Sequence, residues 1–199
     1  MEKVICDSAG IETVARILLA GGVAVIPTDT VYGLAAHPDF PRAVERLYTI
    51  KGRDEAKPIA LLAADEEAVE AFLGADMPAQ ARELAGRFWP GALTLVLNNA
   101  AGTTEGLRVP AHAWTVQLLK RCGGVLRVTS ANLSGRMPAV DALGALNAVG
   151  LSADALVDDG VSPGGIASTV ISVDRDGCMK LLRAGAIDVS NCQTRKLSN

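Results

Sequence analysis

The sequence predicts a single α/β domain built on a mixed sheet, and three observations carry this. Short apolar runs closed by proline or glycine alternate with helical patterns along the chain. Two strand-like runs flank Asp176-Gly177, a hairpin signal, so the strands are not all parallel. No internal repeat and no long linker divides the chain.

In chain order, Asp7 or Ser8 can cap a first helix with Ile11, Val14, Ala15 and Leu18 on one face, and Gly21-Gly22 stops it. Val23-Ala24-Val25-Ile26 reads as a buried strand ended by Pro27. A second helix starts near Pro41 and carries Val44, Leu47 and Ile50 at helical spacing. Residues 59–63 form a short apolar strand, and helices are expected near 65–72 and 79–88. Trp89-Pro90-Gly91 interrupts before a strand at 93–97, and 98–104 is polar and glycine-bearing, hence a loop. Leu107-Arg108-Val109 is a short strand closed by Pro110; residues 114–122 are helical and end at Gly123-Gly124. A strand at 125–129 leads into Ser130-Ala131-Asn132. A helix at 141–149, a strand at 155–157, a glycine-rich loop at 158–165 and hairpin strands at 169–173 and 179–182 complete the domain, 1–187. From 188 the tail turns polar and is expected to be mobile.

With 199 residues, 49 % of them hydrophobic and 21 % charged, the chain can bury a substantial core. The net charge of -3 gives no bulk attraction to nucleic acid or acidic membranes, so any anion site must be a local focus of positive charge. Cys6, Cys122, Cys178 and Cys192 are widely spaced, without a Cys-x-x-Cys, and His37 and His112 lie far from them in sequence. That argues against a sequence-local zinc site and a compact disulfide framework, and for reduced thiols in a cytoplasmic protein. The first residues lack the pattern of a signal peptide, and no apolar run approaches the roughly 20 residues of a membrane span, so no membrane partner is expected.

Lys51-Gly52-Arg53-Asp54-Glu55-Ala56-Lys57-Pro58 places three cations within seven residues. They can face a polyanion from several sides, or form a solvated loop balanced by Asp54 and Glu55. Other polar residues fall at strand ends, where ligands collect in open α/β sheets: Thr28 and Thr30, Arg108, then Ser130 and Asn132. The hydroxyl and amide of Ser130-x-Asn132 can bind a ligand or stabilise their own turn. There is no Walker-type loop, no Gly-x-Gly-x-x-Gly and no evident nucleophile–base pair. That fits chemistry by positioning and charge neutralisation. His112 and Trp89 read as packing residues, and Tyr32 as either a site or a core residue.

Residues 27–34, Pro-Thr-Asp-Thr-Val-Tyr-Gly-Leu, resemble the opening motif of the YrdC-domain family. The pairs Lys51-x-Arg53 and Ser130-x-Asn132 resemble its Lys-x-Arg and Ser-x-Asn signature. Phe88-Trp89-Pro90-Gly91 with Leu93-Thr94-Leu95, Leu107-Arg108-Val109-Pro110, Ser168-Thr169-Val170 and Leu182-Arg183-Ala184-Gly185 fit in the same order. The resemblance implies an α/β (α+β) fold: a twisted, mixed parallel and antiparallel sheet flanked by helices, with a concave, locally basic cavity. It is similar to the short, single-domain TsaC-type branch. The activity implied is a nucleotidyl transfer joining L-threonine, bicarbonate and ATP into threonylcarbamoyl-adenylate with release of pyrophosphate. Mg2+ is implied with the ATP, with no protein ligand evident for it. The product is implied to feed threonylcarbamoyl modification of tRNA, with tRNA or the downstream transferase components as partners.

By matching position, the resemblance implies Lys51 and Arg53 as catalytic cations. Lys51, Arg53, Lys57, Thr104, Asn132 and Arg183 are implied to hold ATP, and Thr30, Arg108, Ser130 and Ser168 to hold threonine. Leu62 stands where some relatives carry histidine, Ala167 where an acidic residue is common, Val140 where a hydroxyl is frequent, and Lys57 where asparagine is frequent. Two other functions remain open at this stage. One is a non-catalytic RNA-binding module of the same fold; the other is a paralogue acting on another carbamoyl or nucleotide substrate.

Overall fold

A computed structural model describes residues 1–189; Cys192 and the rest of the expected tail, 190–199, lie outside the described residues. Strand β1 (Glu2–Ile5) leads into helix α1 (Ser8–Leu19), capped by the Asp7 carboxylate, which accepts from the Gly10 N–H at 2.7 Å. Strands β2 (Val23–Ile26) and β3 (Gly33–Ala36) follow, then α2 (Pro41–Lys51), with proline in the first turn where its missing N–H is harmless. Next come β4 (Leu61–Ala63), α3 (Glu66–Leu73), α4 (Ala79–Phe88), β5 (Leu93–Asn98) and β6 (Thr104–Arg108). The chain continues through α5 (Ala113–Arg121), β7 (Val125–Ser130), α6 (Ala142–Ala148), β8 (Ala155–Asp158), β9 (Thr169–Val173) and β10 (Met179–Arg183).

The strands form one ten-stranded sheet in the order β1-β8-β2-β3-β7-β4-β6-β5-β9-β10. β1–β8, β8–β2, β4–β6 and β5–β9 pair in parallel, and the remaining neighbours are antiparallel, so the sheet is mixed as expected. Two strands were not legible in the sequence. β1 is a four-residue edge strand that begins with two exposed charged residues. β3 is Gly-Leu-Ala-Ala, whose small side chains leave no alternation to read.

Burial explains which runs became strands. In β2, Ala24 and Ile26 pack towards α1 and α5, while Val23 and Val25 pack towards α2 and α6. A strand covered on both faces needs the unbroken apolar run seen in the sequence. In β5 the alternation is two-sided in a different way. Leu93, Leu95 and Leu97 enter a second core with α3 and α4, whereas Thr94 and Val96 face a cavity.

The stripe of α2 differs from the expected one. Ala43, Leu47 and Lys51 are buried at i, i+4, i+8, and Val44 and Ile50 are only partly covered. Thr104, expected in a loop, opens β6. The packed body also runs past 187. Ile187 and Val189 lie against the core of β5 and β9, because the Thr169 hydroxyl donates to Ile187 O at 2.7 Å and ties that segment down.

Leu95 is fully buried in the second core. Leu95→Ala is expected to destabilise the protein by about 2–5 kcal/mol, measured as a lower urea midpoint with an unchanged slope.

Candidate active site

A cavity of about 620 Å³ lies across the face of β7, β4, β6, β5 and β9, a size suited to small-molecule ligands. It joins strand ends to a sheet face, since Thr28, Thr30, Arg108 and Ser130 also line it. Its floor is mid-strand: Thr94, Val96, Gly106, Val128 and Val170, each on the face opposite the leucines of the second core. Its charged lining is Arg53, Lys57, Arg108 and Arg183, and no carboxylate lines it among the described residues.

Arg108 ends β6 and is nearly buried. Its Nε donates to Gly91 O at 2.8 Å, Nη1 to the Thr30 hydroxyl at 2.8 Å, and Nη2 to the Asp29 carboxylate. Burial lowers the Arg108 guanidinium below arginine's ordinary value; Asp29 opposes this, and the charge of Arg183 adds to it. A guanidinium has five N–H bonds, so among the described residues one on each terminal nitrogen remains for a ligand oxygen.

Thr30 is equally constrained. The Thr28 hydroxyl donates to Val31 O at 2.6 Å, accepts from the Thr30 and Val31 N–H groups at 3.2 and 3.3 Å, and lies 3.0 Å from the Thr30 hydroxyl. The Thr30 hydroxyl accepts from Arg108, and its second lone pair is left to accept from a ligand N–H or O–H. Two backbone bonds fix this loop: Gly164 N–H to Asp29 O at 3.1 Å and Gly165 N–H to Thr30 O at 2.8 Å. A Cβ on Gly164 would meet Asp29 O at 2.6 Å, so the close approach requires glycine.

Arg183 reaches the cavity through a β-bulge. Leu181 pairs with Ile171, but Arg183 pairs with Val170, so Leu182 is an extra residue in the ladder. A regular strand would put Arg183 on the same face as Leu181; the bulge turns it to the side of Val170, which lines the cavity. There it donates to Ser168 O at 2.7 Å and to Ser168 Oγ at 3.2 Å, and Ser168 Oγ meets Thr94 Oγ1 at 2.8 Å. Burial lowers the Arg183 guanidinium, and the charge of Arg53 adds to it.

Arg53 follows Gly52, which ends α2 in the left-handed conformation with φ 55°. Its guanidinium braces its own loop, donating to Lys57 O at 2.9 Å and Pro58 O at 3.1 Å, and remains solvent-facing. Lys57, Thr104 and Ser130 also line the cavity. Arg53, Lys57, Thr104, Thr30, Arg108, Ser130, Ser168 and Arg183 are therefore brought together.

Lys51 and Asn132 are not at the cavity surface. Both are buried, and the three ammonium N–H bonds of Lys51 go to Ser130 O, Asn132 O (2.7 Å) and Asn132 Oδ1 (3.1 Å). The Asn132 amide donates to Leu133 O at 2.8 Å and Arg136 O at 2.7 Å. Lys51 thus holds the turn behind Ser130, since a desolvated ammonium must find oxygen acceptors.

Two residues of the site were missed in the sequence. Asp29 is the carboxylate that meets Arg108, and Thr94 positions Ser168. Their signals were present: Asp29 lies between two strand-end threonines, and Thr94 is the polar residue in a leucine alternation. Tyr32 fills both of its readings, lining the cavity while its hydroxyl donates to Gly160 O at 2.9 Å. His112 caps α5 and meets Asp159 at 2.9 Å, and the Trp89 indole donates to Leu93 O at 2.7 Å, so both are structural.

Fold and cavity together define an α/β protein with a cation-lined hollow on a sheet face, of a charge suited to anionic small molecules. The family model Sua5_yciO_yrdC, described as Telomere recombination, matches residues 16–185. The chain belongs to this Sua5/YciO/YrdC family. It is 37 % identical over 191 residues to a Mycobacterium leprae protein, covering 91 % of this chain and 85 % of that one. It is 34 % identical over 183 residues to the threonylcarbamoyl-AMP synthase of Bacillus subtilis, covering 87 % of this chain and 52 % of that one. The crystal structure of Pyrococcus abyssi Sua5 complexed with L-threonine superposes with a TM-score of 0.88 at 30 % identity, over 96 % of this chain and 59 % of that chain. The chain thus spans little more than half the length of the last two.

Burial, with the charge of Arg53 nearby, brings the Lys51 ammonium from lysine's ordinary 10.5 down to about 8. Between these values the unfolded chain keeps the proton that the folded chain has lost. The unfolded state binds more protons, so this group's contribution to stability rises with pH across that window. Denaturation at a series of pH values is expected to show wild type gaining stability relative to Lys51→Met from about pH 8 to 10.5. A pH-independent difference would refute this.

Proposed function

We propose that the protein is a threonylcarbamoyl-AMP synthase, joining L-threonine, bicarbonate and ATP with release of pyrophosphate. The observation that carries this reading is the convergence of Arg53 and Lys57 from one loop, Arg108 from β6 and Arg183 from β10 on one cavity that no carboxylate lines among the described residues. The names of the Bacillus subtilis and Pyrococcus abyssi relatives supply the substrates.

The chemistry needs little from the protein except charge and geometry. Threonine's amine and bicarbonate give a carbamate with loss of water. A carbamate oxygen then bonds to the α-phosphorus of ATP as the bond to the β-phosphate oxygen breaks, and pyrophosphate leaves. Carbamate and triphosphate are both anions. At an effective dielectric of about 20, two like unit charges 4 Å apart repel by about 4 kcal/mol, so the reactants meet only where cations are already in place. Arg53, Lys57 and Arg183 are placed for the phosphates, and the free N–H bonds of Arg108 for the threonine carboxylate. The remaining lone pair of Thr30 suits the amine or the hydroxyl of threonine.

Mg2+ belongs to this reading as part of the nucleotide substrate. The cavity lining has no carboxylate, and no group of three or more His, Cys, Asp or Glu that could hold a metal occurs among the described residues. These side chains therefore do not fit a resident metal, and no step is assigned to one. Lys51 and Asn132 act in this reading by holding the turn that carries Ser130. The product would pass to tRNA modification through a downstream transferase in the cytoplasm. The free thiols Cys6, Cys122 and Cys178 support that location. No helix among the described residues is long and apolar enough to cross a membrane.

Incubation with MgATP, L-threonine and bicarbonate is expected to yield pyrophosphate and an adenylate product only when threonine is present. Failure to see either sinks the reading. Arg53→Ala is expected to reduce turnover on the order of 100-fold, as for loss of one preorganised charge contact, and unchanged turnover would remove Arg53 from its assigned role.

A further inference from the structure

The cavity's cations are not equivalent. Arg53 and Arg183 donate to carbonyl and hydroxyl oxygens of the protein, and the Lys57 ammonium meets no carboxylate among the described residues, so each keeps its full charge for a ligand. Arg108 alone among them meets a carboxylate, and that pair is well shielded: the Arg108 and Asp29 side chains are 7 % and 11 % exposed. Asp29 does not itself line the cavity. One end of the cavity is thus close to neutral and the other strongly cationic, although Arg108 and Arg183 are near enough to feel each other's charge.

We propose that Asp29 is a positioning and specificity-determining residue. It aims the Arg108 guanidinium into the cavity and cancels its net charge, so that this end selects a net-neutral zwitterionic amino acid and rejects polyphosphate. The physical reason is competition. A triphosphate or pyrophosphate carries several charges and would outbid one carboxylate for an unpaired buried arginine, because Coulomb attraction in a shielded site scales with the ligand's charge. A neutral pair offers polyphosphate little net attraction, yet its two free N–H bonds still donate to a carboxylate in a fixed geometry. Two neighbouring subsites then load their own ligands without blocking each other.

The identity of the two ligands rests on the synthase reading; the charge division does not, and the test separates them. Inorganic pyrophosphate is titrated calorimetrically into wild type and Asp29→Asn, which keeps the side chain's shape and an acceptor oxygen. The expected result is one pyrophosphate per wild-type chain and a second, saturable one in Asp29→Asn that disappears in Asp29→Asn/Arg108→Gln. In turnover, Asp29→Asn is expected to raise the threonine KM tenfold or more with a much smaller change in the ATP KM. Pyrophosphate is expected to become competitive against threonine. One pyrophosphate in both proteins, or two already in wild type, overturns the proposal. Should Asp29→Asn not fold, wild type decides alone: pyrophosphate affinity unchanged by saturating L-threonine supports the division, and mutual exclusion overturns it. If wild type binds pyrophosphate but shows no threonine-dependent reaction, the synthase reading falls, and the stoichiometries still judge the role of Asp29.

Discussion

The guanidinium of Arg108 is the constraint on which the site depends. A nearly buried cation is stable only when its N–H bonds find acceptors, and the three here come from two places: Gly91 after α4, and Thr30 and Asp29 after β2. Arg108 lies on β6, and β3, β7 and β4 separate it from β2 in the sheet. Meeting it therefore obliges the loop after β2 to cross the sheet face. That loop is held in turn by Gly164 and Gly165 from the segment after β8. One buried charge thus ties distant parts of the sheet around a hollow that no helix covers.

The same stretch of chain separates structural from available charge. Lys51 closes the buried stripe of α2 and spends its hydrogen bonds on Ser130 and Asn132. Two residues later, beyond a left-handed glycine, Arg53 faces solvent and the cavity. Charge clusters in a sequence therefore do not translate directly into charged surfaces. Helical phase decides: the position four residues beyond Leu47 goes inward, and the helix ends before the next cation is reached. Asp54 and Glu55, which would balance these charges in a simple solvated loop, do not line the cavity. A protein of net charge -3 thereby presents four cations in one hollow.

What was legible in the sequence was whatever depends on local pattern. The apolar run of β2, the leucine alternation of β5, the capped helix α1 and the hairpin at Asp176-Gly177 all follow from neighbours within a few residues. What was not legible depends on pairing at a distance. β3 has no pattern of its own and exists because β2 and β7 flank it. Arg183 points into the cavity only because its strand carries an extra residue relative to β9, which no local periodicity reveals. The pairing of Asp29 with Arg108 spans 79 positions, so the flanking threonines mark Asp29 as a strand-end residue without revealing its partner.

These long-range devices also explain why the cavity sits on a sheet face. Strand-end sites draw their ligand groups from loops, each free to vary. Here much of the floor is period-two alternation itself: between the leucines of β5 that enter the second core, Thr94 and Val96 face the hollow, joined by Gly106 of β6 and Val170 of β9. Removing a covering helix from that face would normally expose an apolar patch. The chain avoids this with Thr94, Thr104, Gly106 and Ser168, and with a return segment in which Ala186 N–H donates to Ala167 O at 3.0 Å. That segment packs so closely that a Cβ on Gly185 would lie 2.4 Å from Ala167 O. Ser168 is thereby fixed between the returning chain, Thr94 and Arg183. The packing that stabilises the far edge of the sheet is therefore the same packing that presents a cation and a hydroxyl to the ligand, and neither role can be altered without the other.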